Sequence, residues 1–259
     1  MTSDFPPVSC ICLTYGRPAL LEEAIYSFLQ QDYPGVKELL VLNDRAEQTY
    51  RFDHPEVRVI NLPVRFRTVG EKMNAAAALC SYDVLFVWDD DDLYLPHRLS
   101  YSMARFDPAR GFFTTGRAWL WDQGEIVSIS ENCFHSGSCW SRELFDLVGG
   151  YPVMGNGYDQ VIEQRFEEAR PGSTVRAPMP DEDAFYIYRW GGIGSYHMSG
   201  FGQDAPNQNV EQASVASYVE AQMARGEVAR GNIQLQPRWA QDYIGHISRF
   251  LDTRARVVR

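Results

Sequence analysis

Short apolar runs alternate with amphipathic stretches over the first hundred residues. Residues 8–13 (VSCICL), 38–42 (ELLVL), 57–62 and 84–88 (VLFVW) each read as a strand. Pro18 stands where a first helical turn begins. Leu20, Leu21, Ala24, Ile25, Phe28 and Leu29 then recur at helical spacing as one apolar stripe, and Tyr33-Pro34-Gly35 ends it. Residues 71–80 predict a second helix whose alanine-rich centre allows close packing. Near-continuous apolar strands separated by helices predict a mostly parallel sheet covered on both faces.

The pattern changes after about residue 108. Residues 112–121 are aromatic and β-like, Asp122-Gln123-Gly124 reads as a turn, and residues 126–129 return as the second arm of a hairpin. Short helices are predicted over 143–148, before Gly149-Gly150, and over 159–169, with Val161, Ile162 and Phe166 inward. Residues 184–190 (AFYIYRW) read as a strand. Residues 191–211 are rich in glycine, asparagine and serine, with no periodic element, and a loop that long is usually functional or mobile. Helices follow near 215–223 and over 239–251, the latter carrying Trp239, Tyr243, Ile244, Ile247, Phe250 and Leu251 on one stripe. With no repeat and no low-complexity linker, one domain spans 1–259.

Composition narrows the function. The apolar fraction of 45% excludes general disorder. A formal charge of −10 makes the chain a poor candidate for binding nucleic acid, which depends on neutralising phosphates. Residues 225–259 run the other way, with seven arginines against three acids. That basic end and the 239–251 stripe leave two readings open: a helix packed on the domain, or peripheral contact with an anionic membrane. The N-terminus lacks a basic region followed by an apolar run, and no apolar stretch approaches 18 residues, so neither a secretory leader nor a membrane span is expected. Five cysteines without a CxxC pair read as reduced, mostly buried thiols in a cytoplasmic protein.

The strongest chemical signal is Trp88-Asp89-Asp90-Asp91-Asp92, at the end of an apolar strand. Four adjacent carboxylates repel one another, and a hard divalent cation most simply offsets that cost. In an extended chain, Asp89 and Asp91 point the same way. The carboxyl end of a strand in an open α/β sheet is also the usual ligand crevice. Two other strand ends belong on that edge. The first offers Thr14, Tyr15 to stack on a base and Arg17 to meet phosphate; the second offers Asn43 and Asp44 for base or ribose. Each alone is equally a turn or a helix cap. Lys72 and Asn74 head the next helix, placed to hold phosphate or ribose, with simple exposure of Lys72 as the alternative.

In chain order, Thr14-Tyr15-Gly16-Arg17, Asn43-Asp44, Glu71-Lys72-Met73-Asn74 and Phe86-Val87-Trp88-Asp89-Asp90-Asp91-Asp92 with Pro96 resemble the nucleotide-sugar half of GT-A glycosyltransferases, most closely glycosyltransferase family 2. The resemblance covers residues 8–107 well and continues more weakly to about residue 200. It implies a GT-A α/β fold with a smaller mixed β acceptor region over 108–211 and a helical extension over 212–259. It carries Tyr15 and Asp44 to nucleoside contacts, Asp89 and Asp90 to the donor, and Asp89 and Asp91 to a manganese or magnesium ion. Two departures stand out: Asn43 precedes Asp44 where a double aspartate is common, and Met73 replaces an arginine, with Lys72 one step earlier.

For the acceptor half, the resemblance implies a catalytic carboxylate on a helix, six residues before an arginine. Asp159 falls there, ahead of Arg165, although Tyr158 replaces the usual acidic neighbour. Asp159 is equally a helix N-terminal carboxylate, and Glu163, one turn on, is the alternative base. His197 matches a late histidine that completes the metal shell in some of these enzymes. Arg189 either neutralises diphosphate or pairs with Asp181, Glu182 or Asp183, and Trp140 lines the acceptor site or fills the core. The expected activity is an inverting, metal-dependent sugar transfer from a nucleoside diphosphate sugar, UDP-sugar favoured, to a hydroxyl. A nucleotidyltransferase is the second class, though residues 13–24 are no glycine-rich phosphate loop. A non-catalytic sugar- or nucleotide-binding scaffold is the third.

Overall fold

The computed structural model describes residues 5–131, 135–154, 157–189, 217 and 219–257. Its centre is a six-stranded sheet. Strands β1 (Val8–Thr14), β2 (Lys37–Asn43), β4 (Val57–Asn61) and β5 (Val84–Val87) run parallel in the order β4-β2-β1-β5, as the apolar runs predict. Side chains alternate across this sheet and both faces are buried. Cys10, Cys12, Leu39, Val41 and Phe86 enter one core, while Ile11, Leu40, Leu42, Leu85 and Val87 enter the other.

Helix α1 (Pro18–Leu29) packs Leu21, Ala24, Ile25 and Phe28 into the first core. Helix α2 (Val69–Leu79) packs Met73, Ala76 and Ala77 into the second. Its start is fixed by a reciprocal cap: Glu71 N–H donates to Thr68 Oγ1 at 3.1 Å, and Thr68 N–H donates to Glu71 Oε2 at 3.1 Å.

The aromatic stretch 112–121 is two strands rather than one. β7 (Phe112–Phe113) completes the large sheet, and β8 (Arg117–Asp122) belongs to a second sheet. β10 (Cys139–Ser141) fits antiparallel between β5 and β7. The second sheet has the order β6-β11-β8-β9, with β6 (Leu93–Tyr94), β9 (Glu125–Glu131) and β11 (Tyr186–Arg189). The β8–β9 hairpin turns at Gln123 and Gly124, both at positive φ, as its sequence predicts. A small parallel pair joins β3 (Gln48–Arg51) to β12 (Gly231–Gln234), neither of which has a clear sequence signal. Helices α3 (Arg98–Met103), α4 (Arg142–Leu147) and α5 (Tyr158–Ala169) flank the sheets.

The C-terminal helix α6 runs from Tyr243 to Val257. Its apolar stripe faces the protein: Tyr243 and Ile247 are buried, Phe250 meets Trp119, and Tyr243 meets Trp121. Ile244 lies off that contact, 46% exposed. Among the described residues no helix is long and apolar enough to cross a membrane. Cys10, Cys12, Cys80 and Cys139 are buried free thiols; Cys133 lies outside the described residues.

Candidate functional site

The strand order changes direction at β1. β2 and β4 lie to one side and β5 to the other, so the carboxyl ends of β1 and β5 flank the switch point at which open α/β sheets generally bind ligands. Trp88 anchors the acidic turn there. Its N–H donates to Ile11 O at 2.8 Å, and its indole N–H donates to Ala24 O at 2.9 Å. The chain then bends at Asp90–Asp92 instead of continuing extended, so the simple alternation of Asp89 and Asp91 is lost. The bend brings consecutive carboxylates to one partner: Arg17 Nη1 donates to Asp91 Oδ2 at 2.8 Å, and Arg17 Nη2 donates to Asp90 Oδ1. Burial pushes the Asp90 carboxyl up to about 6, against the pull of Arg17 and with the push of Asp91. The charges of Asp90 and Asp91 outweigh the burial of Arg17 and hold its proton more firmly than usual.

Asp92 turns into the protein. It accepts from Tyr186 Oη and from the backbone N–H of Arg189. Burial raises its carboxyl well above the usual range. Arg189 is fully buried: its Nε donates to Asp91 O and its Nη1 to Glu23, on α1. Asp181, Glu182 and Asp183 are not its partners in these contacts; Asp181 instead pairs with Arg117 and Arg254.

The second strand end is more heavily built than its sequence suggests. Asn43 is fully buried and satisfied internally, donating to Gln48 O and Asn61 Oδ1 and accepting from Arg45 N–H. It shapes the turn and is not presented to a ligand. Asp44 accepts from Phe66 N–H and from Lys72 Nζ, which also donates to Thr14 O. Lys72 is therefore neither exposed nor aimed outward, and burial lowers its pKa despite Asp44. It ties α2 to the ends of β1 and β2. Arg45 has no forewarning in the sequence. It donates to Tyr15 Oη at 2.8 Å and pairs with Glu47 and Glu220, while the Arg65 guanidinium lies 4.1 Å from the Tyr15 ring centroid. Gly16 is required here: φ is +75°, and a Cβ would lie 2.3 Å from Val219.

At the head of α2, Asn74 departs from its expected role. It donates to Tyr151 O at 2.9 Å and accepts from Tyr151 N–H at 2.8 Å, fastening α2 to the loop that leads into α5. Gly150 makes that contact possible, because a Cβ there would lie 2.6 Å from Asn74 Oδ1. Tyr151 Oη is 2.7 Å from His135 Nε2, and His135 Nδ1 is 2.8 Å from Glu163 Oε1. Arg176 adds a second partner to Glu163. Burial alone would raise the Glu163 carboxyl, but His135 and Arg176 outweigh it and hold it below the ordinary value. Burial pushes the Tyr151 hydroxyl well up, reinforced by Tyr158, Asp159, Glu163 and Asp89. Tyr151 thus lies within electrostatic reach of both the α5 carboxylates and the acidic turn. Asp159 sits half-buried in the first turn of α5, after Gly157 at φ 71°. Trp140 is a core residue, fully buried and stacked on His135 with centroids 5.5 Å apart.

His197 lies outside the described residues. Among the described residues, no group of three or more His, Cys, Asp or Glu side chains is arranged to hold a metal.

A family model described as glycosyl transferase family 2 matches residues 9–128. That stretch is similar to family 2. It contains nearly all of β1 to β8, the acidic turn and the residues at the ends of β1 and β2, and it shares the GT-A-like α/β fold of solved glycosyltransferases. The mannosyltransferase PcManGT from Pyrobaculum calidifontis, solved with GDP-Man and Mn2+, is similar over 97% of this chain and 80% of its own, at 16% identity and a TM-score of 0.53. S. aureus TarS 1-349 with UDP-GlcNAc is similar over 84% of this chain and 73% of its own, at 14% identity and a TM-score of 0.50. Another TarS 1-349 structure aligns over 71% of this chain at 15% identity and a TM-score of 0.49, and this chain spans 60% of its length. No curated protein matches the chain significantly.

Proposed function

We propose that the protein is a glycosyltransferase that moves a sugar from a nucleoside diphosphate donor to an acceptor hydroxyl, with inversion and with a divalent cation. The carrying observation is the convergence of the Asp89–Asp92 turn with Thr14–Arg17 and Asp44–Arg45 on one sheet edge inside a family 2 region. Two solved proteins of the same fold hold a nucleotide sugar, which supports that donor class here. A UDP-sugar is the favoured donor and a GDP-sugar the next to test.

The donor set suits a hard cation. Its ligands are all carboxylate oxygens, and Asp90 Oδ2 is buried with no hydrogen-bond partner among the described residues. Asp89 and Asp91, with Asp90, would hold Mn2+ or Mg2+, which when bound stabilises negative charge on the departing diphosphate. The remaining work belongs to the chain. Tyr15 and Arg45 meet the nucleoside, and Arg17 meets phosphate. Asp159 takes the proton of the attacking hydroxyl, since Glu163 is engaged by His135 and Arg176. One base and one direct displacement give inversion.

Calorimetric titration with UDP, GDP and their common sugar conjugates, with and without Mn2+, tests this reading. Manganese-dependent binding that is lost in Asp91→Asn is the expected result. No nucleotide binding by a folded sample would instead favour a scaffold. A product retaining the donor's anomeric configuration would overturn the single displacement, and release of pyrophosphate would indicate nucleotidyl transfer.

A further inference from the structure

One contact on this edge does more than neutralise charge. Arg17 does not grip a single carboxylate with its fork; it spans two neighbouring ones, Asp90 and Asp91. Those are residues that a divalent ion would use, so guanidinium and ion compete for the same oxygens. The other arginine at the turn behaves differently. Arg189 has a side chain with no exposure and is held between Glu23 and Asp91 O, whereas the side chain of Arg17 keeps 14% exposure at the sheet edge. Arg17 also precedes Pro18, whose ring restricts the Arg17 backbone, so any release of the guanidinium is a matter of side-chain rotation. A diphosphate, like two neighbouring carboxylates, offers a guanidinium paired anionic oxygens to bridge.

We infer that Arg17 is a displaceable internal cation: it closes Asp90 and Asp91 until a nucleoside diphosphate draws it away, so that the divalent ion binds well only together with the donor. This rests on the donor reading above. Its consequence is thermodynamic. Whatever Arg17 costs the ion in the absence of nucleotide is returned when phosphate takes the guanidinium, and the coupling is reciprocal. Couplings of this kind span about five- to 150-fold in affinity. The ion alone is therefore held weakly and is not carried by the empty enzyme.

The test is Mn2+ binding to the full chain without nucleotide, read by electron paramagnetic resonance, beside calorimetry of UDP and GDP in chelator. Arg17→Gln is expected to bind Mn2+ alone about tenfold more tightly, and UDP or GDP without metal more weakly. Arg17→Lys keeps the charge but cannot bridge two carboxylates, so its Mn2+ affinity moves most of the way towards that of Arg17→Gln. Unchanged or weaker Mn2+ binding in folded Arg17→Gln overturns the inference. Wild-type Mn2+ affinity in Arg17→Lys overturns the bridge as its cause. Failure of the donor reading is separately visible, as a wild type that binds neither nucleotide even with Mn2+.

Discussion

Glu163 Oε1 lies 2.8 Å from His135 Nδ1, and this pairing distinguishes Glu163 from Asp159 on α5. Glu163 is tied to His135 and Arg176, and through His135 to Tyr151. Asp159, one turn earlier, is half-buried and is the base in the reading proposed above. Their substitutions should therefore fail differently. Asp159→Asn should lower kcat by about 10²- to 10⁴-fold, with donor affinity little changed. Glu163→Gln should weaken the hold on His135 and lower stability, while keeping most of the turnover of the folded enzyme. Steady-state kinetics with calorimetric donor binding distinguish them; the reverse ranking would make Glu163 the base.

The same pair sets a pH dependence. Burial opposes ionisation of Glu163, but His135 and Arg176 prevail, so its folded pKa lies below the ordinary 4.5. A depressed carboxyl pKa contributes stability that is fully present above the unfolded value and is lost as pH falls through the folded one. The charged and titratable groups that act on it are His135 and Arg176, with Tyr151 behind His135. The stability gap between wild type and Glu163→Gln should narrow as the pH falls below 4.5. Urea unfolding across that range measures it. A gap that widens on acidification would contradict the assignment.

The parallel sheet and the acidic turn were legible because their signals are local. Four apolar runs, a proline at a helix start and four consecutive aspartates each carry their meaning within a few residues. What was missed depends on partners distant in sequence. His135 gains its role from Glu163, 28 residues on, and from Tyr151. Arg45 gains its role from Tyr15 and Glu220, the latter 175 residues away. Asn43, Lys72 and Asn74 follow the strand ends in sequence, yet their side chains serve the fold, because neighbouring backbone groups, Asn61 and Asp44 satisfy them. Type and position in a motif locate a residue near a site; only its contacts tell whether it faces outward. The two-residue strand β7 and three-residue β10 are too short for any period to show.

Arg189 offers the sharpest test of how the acidic turn is held. Its guanidinium joins Asp91 O to Glu23, and Glu23 also accepts from Tyr243 Oη at 2.8 Å and from Ala240 N–H at 2.9 Å. The turn, α1 and the segment entering α6 thus meet at one buried ion pair. Arg189→Met removes the cation and leaves Glu23 charged in the interior, a loss of about 3–5 kcal/mol. Adding Glu23→Gln removes the stranded charge while keeping an acceptor for Tyr243 and Ala240, so the double variant should be more stable than Arg189→Met alone. Urea unfolding of the two single variants and the double variant gives the coupling. Simple additivity would show that Arg189 supports the turn through Asp91 alone, and that the C-terminal helix is held independently of it.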